Sequence, residues 1–184
     1  MPIFRKRNKN GDLSINIQYI DGLPSYTNKT PVTIALNTSD KILEIKAIAN
    51  KLFNYPEVKL SFDRIVQFDV IDEKTILEKE KHMFGRAFVG TLLLGTAGTI
   101  LGGISGMGTK KKIKNEEYLI INYGENVEDM KALTFKVVPS TYHLISFMKE
   151  LNQYAPFNPE KFKKIKEQLE INDLDIEKPK EIIL

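Results

Sequence analysis

Leu13-Ser-Ile-Asn-Ile-Gln-Tyr-Ile20, near the start of the 184-residue chain, alternates apolar and polar residues. Side chains on a β-strand alternate between two faces, so this pattern predicts a strand with one buried face, formed by Leu13, Ile15, Ile17 and Tyr19. The same alternation recurs four times before residue 71. These repeats are Val32–Leu36, Ile42–Ile48, Val58–Phe62 and Ile65–Val70. Turn residues separate them, so the first part of the chain is predicted to be a series of short strands.

Strands return after residue 117, and helices follow them. Tyr118–Tyr123 and Ala132–Val138 predict a hairpin joined through Gly124-Glu-Asn. A first helix is predicted around an apolar stripe, with its cap in Pro139-Ser-Thr. The stripe is Leu144, Ile145, Met148 and Leu151. A second helix is predicted from Pro159, capped by Asn158, with Phe162, Ile165 and Leu169 on its apolar face. This order of elements predicts an α+β fold.

Between the two groups of strands lies an uncharged stretch of 21 residues, Ala87–Met107, here called the glycine segment. As a helix it would be about 31 Å long, close to the thickness of a bilayer core of roughly 30 Å. Its small residues recur at intervals of four and would form two adjacent helix faces that allow close backbone packing. The residues on these predicted self-association faces are Thr91, Gly95, Gly98, Thr99, Gly102, Gly103 and Gly106.

Three arrangements of the glycine segment remain open. The first is a helical hairpin bent at Gly95–Gly98 that contacts a membrane or another copy of the chain. The second is a helical hairpin or loop that packs on its own domain, and the third is a single membrane span. The eight large apolar residues supply only about −2.4 to −4.8 kcal/mol toward insertion. Predicted strands on both sides also disfavour a span, because one sheet cannot lie on two sides of a membrane.

Basic residues surround the glycine segment and the N-terminus. The predicted contacts with anionic lipid are Arg5, Lys6, Arg7, Lys9, Arg86, Lys110, Lys111 and Lys112. A solvated tail and nucleic-acid binding are alternatives for the N-terminal arm, although a net charge of +3 is too small to favour nucleic acid. No signal-peptide pattern follows the basic N-terminus, which predicts a chain that is either free in the cytoplasm or peripheral at the inner face of the membrane.

The sequence contains no recognisable catalytic, cofactor or metal-binding pattern. It has no cysteine, which excludes disulfides, thiolate nucleophiles and cysteine-ligated metals. Gly103–Lys110 lacks the lysine directly after the last glycine that a phosphate-binding loop needs. His82 and His143 have no metal-ligand spacing, and Asp69, Asp72 and Glu73 are expected to be solvated. We therefore expect no cofactor and no small-molecule substrate, and a protein that is not an enzyme.

Four stretches together resemble a known family. They are Tyr19–Pro24, Gly85-Arg-Ala87, the lysine run from Lys110, and Tyr118–Tyr123. They resemble small bacterial proteins in which a glycine-zipper insertion interrupts a pleckstrin-homology-like (PH-like) domain. The resemblance covers about residues 13–154 and implies a bent antiparallel sheet or partly open barrel, closed by the Leu144–Leu151 helix. It implies no activity.

Together these observations predict three parts. Residues 1–12 form a basic arm, residues 13–154 a PH-like domain with its insertion at 84–109, and residues 155–184 a C-terminal helix and tail that could bind a protein partner. The predicted function is a non-enzymatic scaffold that presents the glycine segment to a membrane or to itself. The alternative is a binding module for a peptide, nucleic acid or small ligand, with a groove between the sheet and the Leu144–Leu151 helix. An enzyme of unrecognised type is a third possibility.

Overall fold

Seven strands form one antiparallel sheet. The computed structural model describes residues 12–48, 54–80, 88–89, 92–93, 116–126, 129–165 and 167. The sheet strands are β1 Ser14–Asp21, β2 Pro31–Asn37, β3 Ile42–Ala47, β4 Val58–Ser61, β5 Ile65–Asp72, β8 Glu117–Tyr123 and β9 Lys131–Lys136. Their order across the sheet is β4-β3-β2-β1-β9-β8-β5. Two short strands, β6 Phe88–Val89 and β7 Leu92–Leu93, pair with each other. The predicted strands before residue 71 and the predicted hairpin of β8 and β9 are confirmed.

The sheet is curled, although its two edge strands do not pair with each other. A flat sheet of seven strands would be about 29 Å wide, at roughly 4.8 Å between neighbouring strands. The edge strands β4 and β5 are joined only by the 3₁₀ turn Phe62–Arg64, which can span at most about 14 Å. The edges must therefore approach each other, and the sheet has the form of a partly open barrel.

β1 links the two halves of this barrel. It pairs with β2 over Ser14–Gln18 and with β9 over Gln18–Asp21, with an irregularity in the register between Tyr19 and Asp21. The side chains of its predicted apolar face are all buried in one continuous core. The alternation seen in the sequence therefore describes the inner face of the barrel correctly.

Helices follow two of the strands. Helix α1 spans Glu73–Glu80, directly after β5, and helix α2 spans Leu144–Tyr154. Phe147 and Leu151 of α2 are fully buried in the barrel core, so α2 closes one end of the barrel as the family resemblance implied. A further helix, α3, is described over residues 159–165.

The details of α2 differ from the sequence-based prediction. Ile145, placed on the buried stripe, is 73% exposed, and Phe147, which was left out, is buried. The residue preceding the helix, His143, has a left-handed backbone (φ 66°) and makes no side-chain cap. Thr141 does not cap the helix either, because its hydroxyl oxygen accepts a hydrogen bond from the Val138 N–H at 3.1 Å. The hydroxyl cap predicted in Pro139-Ser-Thr is therefore wrong.

Candidate functional site

The insertion that contains the glycine segment leaves and re-enters the sheet at one point. β5 ends at Asp72 and β8 begins at Glu117, and these two residues are direct partners in the antiparallel ladder. One residue further out, the Glu73 N–H donates to the Glu116 carbonyl oxygen at 2.8 Å. The two ends of the inserted chain are therefore held side by side by the scaffold.

The exit point is fixed by the first turn of α1. The Asp72 carboxylate accepts hydrogen bonds from the Thr75 N–H at 2.7 Å and from the Thr75 hydroxyl at 2.9 Å. The bond from the backbone N–H is the main reason that the pKa of Asp72 lies below its ordinary value. Asp69 and Asp72 are exposed, as expected, but Glu73 is buried, so the expectation of a solvated acidic cluster is wrong for Glu73.

The re-entry point is anchored by a charged residue just before β8. The Glu116 carboxylate pairs with the Lys136 ammonium of β9 at 2.7 Å and accepts a hydrogen bond from the Tyr118 hydroxyl at 3.0 Å. Burial raises the pKa of Tyr118, and the hydrogen bond to Glu116 raises that pKa further. The phenol therefore remains a neutral donor, and the returning chain is tied to both β8 and β9.

The described part of the glycine segment has extended backbone. Phe88–Val89 and Leu92–Leu93 form an antiparallel pair, with Cα atoms of β6 within 8 Å of α1 and Cα atoms of β7 within 8 Å of β5 and β8. The predicted helical hairpin is thus not confirmed, and these four residues are not helical. The predicted self-association and lipid-contact residues lie outside the described residues: Thr91, Gly95, Gly98, Thr99, Gly102, Gly103, Gly106, Arg5, Lys6, Arg7, Lys9, Arg86, Lys110, Lys111 and Lys112.

An open groove of about 780 Å³ lies between β5 and α2. Its apolar lining comes from Phe68 and Val70 of the strand and from Leu144, Ile145 and Met148 of the helix. Its polar lining is Glu117, Lys149, Asn152 and Gln153. This groove occupies the position that the sequence analysis named for its alternative function, between the sheet and the helix.

A smaller cavity of about 240 Å³ lies beside the turn between β1 and β2. The hydroxyl oxygen of Thr27 lies 2.6 Å from that of Tyr55 and 3.0 Å from that of Thr30. Hydrogen bonds from these threonines are the main reason that the pKa of Tyr55 lies below its ordinary value. Because these hydroxyls mainly form hydrogen bonds with one another, we infer that the cluster holds the β1–β2 turn against Tyr55.

Helix α3 is attached to the outside of the barrel near the start of β5. The Asn158 carboxamide oxygen accepts a hydrogen bond from the Lys161 N–H at 2.9 Å, which confirms the predicted cap. Ile165 is buried in a small cluster with Val66 and Met130. The Lys161 ammonium also donates to the Asp63 carbonyl oxygen at 3.0 Å. The helix that the sequence placed in a separate C-terminal part therefore packs on the barrel.

Two wider features of the described residues bear on function. None of their helices is long and apolar enough to cross a membrane. They also contain no cluster of three or more histidine, aspartate or glutamate side chains that could hold a metal ion.

The groove lies where the sequence predicts one, but the way it is built could not be predicted. The alternation of Val66, Phe68 and Val70 marked β5 as a strand, but nothing local shows that β5 lies at an edge of the sheet. The pairing of Asp72 with Glu117 was also not predicted, since the two residues are far apart in the chain. Both features depend on the order of strands in the sheet.

Comparison with known families gives one match. Residues 24–149, about two thirds of the chain, match the model of a family described as a glycine zipper containing PH domain. The matched region runs from the turn after β1 into α2 and includes the whole insertion. No curated protein and no solved structure matches the chain significantly.

Proposed function

Because the chain belongs to the family of glycine zipper containing PH domains, we propose that it is a non-enzymatic scaffold that presents its glycine segment for association with a membrane surface or with copies of itself. The observation that carries this proposal is the pairing of Asp72 with Glu117 at the base of the insertion. Directly paired residues on antiparallel strands have Cα atoms about 5 Å apart. A single crossing would separate its two ends by roughly 30 Å, so paired ends favour a segment that folds back.

The start of the insertion supports the same arrangement. Cα atoms of α1 lie within 8 Å of β5 and β6, and those of β7 lie within 8 Å of β5, β6 and β8. The chain therefore does not leave the barrel directly after Asp72. Of the three arrangements considered, these contacts disfavour the single span and agree with a segment that folds back, whether it contacts a membrane, a second copy or its own domain. The spacing of Gly98, Gly102 and Gly106 would then permit close backbone packing, either with a second copy or within a shallow membrane insertion.

Electrostatic attraction would hold such a protein at the cytoplasmic face of a membrane. Each lysine or arginine near an anionic surface contributes about 1 kcal/mol to binding. The three lysines Lys110–Lys112 would together strengthen binding roughly 100-fold at low ionic strength, and Arg86 with the N-terminal arm would add to this. Possible partners are therefore anionic lipid, a second copy of the chain, and a protein that contacts the C-terminal helix.

Flotation of the full chain with vesicles tests this proposal. The chain should float with vesicles of phosphatidylglycerol and phosphatidylcholine, and a triple Lys110–Lys112→Gln variant should float far less. Phosphatidylcholine alone should recover little protein. Recovery that is independent of the anionic lipid would exclude the proposed role of the lysines.

The contribution of the glycine faces is tested by a pair of matched substitutions. Gly102→Leu places a large side chain on a predicted packing face and should weaken self-association and membrane recovery. Ile104→Phe adds bulk to the same segment on the opposite side of the helix from Gly102 and should have little effect. The proposal would be refuted if the wild-type chain does not float with vesicles and the Gly102→Leu variant self-associates as well as the wild type.

A second candidate function is favoured by the groove between β5 and α2. Its apolar lining and its position beside an edge strand suit an extended peptide that pairs with the strand and inserts alternate side chains. Selection of displayed heptapeptides on the full chain tests it, with Val70→Pro as the matched control. A selection that enriches the same peptides on both proteins, or none on either, would remove this candidate.

A further inference from the structure

One side of β5 offers backbone groups to an additional strand. β5 pairs with β8, and no other strand of the described residues pairs with its opposite side. The Val70 N–H donates to the Asp69 carboxylate at 2.7 Å, so this N–H is directed away from β8. Backbone direction repeats every second residue of a strand, so the Phe68 N–H has the same orientation. Such an edge can accept another extended chain.

The same two residues also line the groove. Phe68 and Val70 form one wall, and Leu144 and Met148 of α2 form the other. A chain paired with β5 would lie about 4.8 Å from it and would direct every second side chain toward the α2 side of the groove. The outward N–H of Val70 now donates to the Asp69 carboxylate. In the proposed complex, a carbonyl oxygen of the added chain would accept this hydrogen bond in place of the carboxylate.

The C-terminal region begins next to this edge. Ile165 of α3 is buried against Val66, only two residues before Phe68 on β5. The hydrogen bond from the Lys161 ammonium to the Asp63 carbonyl oxygen fixes the same helix beside the turn that precedes β5. The chain that continues from α3 therefore starts at the end of the strand whose open edge borders the groove.

We propose that residues 180–184 of the same chain, Lys-Glu-Ile-Ile-Leu, add to the open edge of β5 and place Ile182 and Leu184 in the groove. These two residues lie two positions apart, so they share one face of an extended chain. Lys180 shares that face and complements Glu117, which is an acidic residue of the groove lining. The C-terminal residues would then occupy the peptide site.

The tether makes this occupation favourable even for a weak segment. Residues 168–179 would connect α3 to this segment, and a flexible chain of about a dozen residues has a root-mean-square span of roughly 20 Å. The distance from Val66 to Val70 along β5 is about 13 Å. A linker that matches its span gives an effective concentration on the order of 1 mM, so a segment with a millimolar dissociation constant is docked about half of the time. This inference rests on the second candidate function, the groove as a peptide site.

Disulfide trapping tests the docked position, and it is clean because the natural sequence has no cysteine. Met148→Cys combined with Ile182→Cys should oxidise to an intramolecular disulfide at least tenfold faster than two controls. The first control replaces Ile182→Cys by Ile183→Cys, on the opposite face of an extended chain. The second replaces Met148→Cys by Lys59→Cys, exposed on β4 at the other edge of the sheet. Equal oxidation rates in all three variants would refute docking. Disulfide-linked dimers would assign the groove to a second copy of the chain. A further variant combines Met148→Cys with Leu101→Cys, and faster oxidation in that variant would assign the groove to the glycine segment.

A competition experiment separates failure of this inference from failure of the peptide site itself. The probe is a synthetic peptide of residues 178–184, added to the full chain. A variant with Ile182→Asp and Leu184→Asp should release the groove and bind the probe about twofold more tightly than the wild type, because the segment occupies the groove about half of the time. Equal binding to both would refute occupation by the chain's own residues and leave the groove as a peptide site. Binding to neither would refute both.

Discussion

Gly22 follows β1 and is the position where a single added methyl group has the clearest structural consequence. Its φ angle is +106°, a value that side-chain-bearing residues rarely adopt. A Cβ atom there would lie 2.1 Å from the Ala132 carbonyl oxygen and 3.0 Å from the Leu133 Cα atom. Both atoms belong to the backbone of β9, which is paired on one side with β1 and on the other with β8. The strand cannot move away without disturbing two ladders.

The expected cost of Gly22→Ala is about 3 kcal/mol in the free energy of unfolding. Backbone strain at a disfavoured φ contributes about 2 kcal/mol, and displacement of packed atoms contributes a similar amount. Alanine also lowers the conformational entropy of the unfolded chain, which offsets roughly 0.7 kcal/mol of this loss. For a chain of this length, the net loss corresponds to a fall in melting temperature of roughly 9 °C.

Urea unfolding of the full chain, followed by circular dichroism, measures this cost. Gly124→Ala is the matched control, because Gly124 also has a positive φ, but its added Cβ would meet nothing closer than 3.0 Å, and one of those atoms is the flexible Met130 sulfur. We expect the control to lose about half as much stability. A Gly22→Ala variant within about 0.5 kcal/mol of the wild type, or one more stable than Gly124→Ala, would refute this reasoning.

Three further predictions follow from the packing of the barrel. Phe147→Ala should lower the free energy of unfolding by about 4 kcal/mol because it empties a fully buried site, whereas Ile145→Ala, at a 73% exposed position, should change it by less than about 0.5 kcal/mol. Similar losses in urea unfolding for the two variants would contradict the orientation of α2. Tyr19→Phe should lower the free energy of unfolding by about 2 kcal/mol, since the buried Leu23 N–H donates to the Tyr19 hydroxyl at 2.8 Å and would lose its acceptor. An unchanged free energy of unfolding would show that another acceptor replaces the hydroxyl. Burial raises the pKa of Tyr118 above its ordinary value of 10.0, so above pH 10 the folded state keeps a proton that the unfolded chain loses, and stability should fall as the pH rises. Tyr118→Phe should make that fall shallower in urea unfolding between pH 9 and 11, and an unchanged slope would assign the fall to other groups.

Part of the fold could be read from local pattern. The alternation of Leu13, Ile15, Ile17 and Tyr19 predicts β1 and its buried face, and both are confirmed. The Asn158-Pro159 start of α3 is also confirmed, because a cap needs only a side-chain acceptor three residues before a backbone N–H. In α2 the same kind of reasoning failed, since the rotation of the helix about its axis depends on what it packs against. Ile145 and Phe147 are both large and apolar, and only the barrel core decides which of them is buried.

The candidate sites show the same division. The sequence by itself determines the strand faces, the absence of cysteine chemistry, and the small-residue spacing of the glycine segment, because these are properties of neighbouring residues. Only the tertiary structure decides that β5 is an edge strand, that Phe68 and Val70 face α2 across a groove, and that Asp72 meets Glu117. These three features arise from pairing between segments far apart in the chain, where the order of the strands is set by the whole sheet closing around one core rather than by any local periodicity.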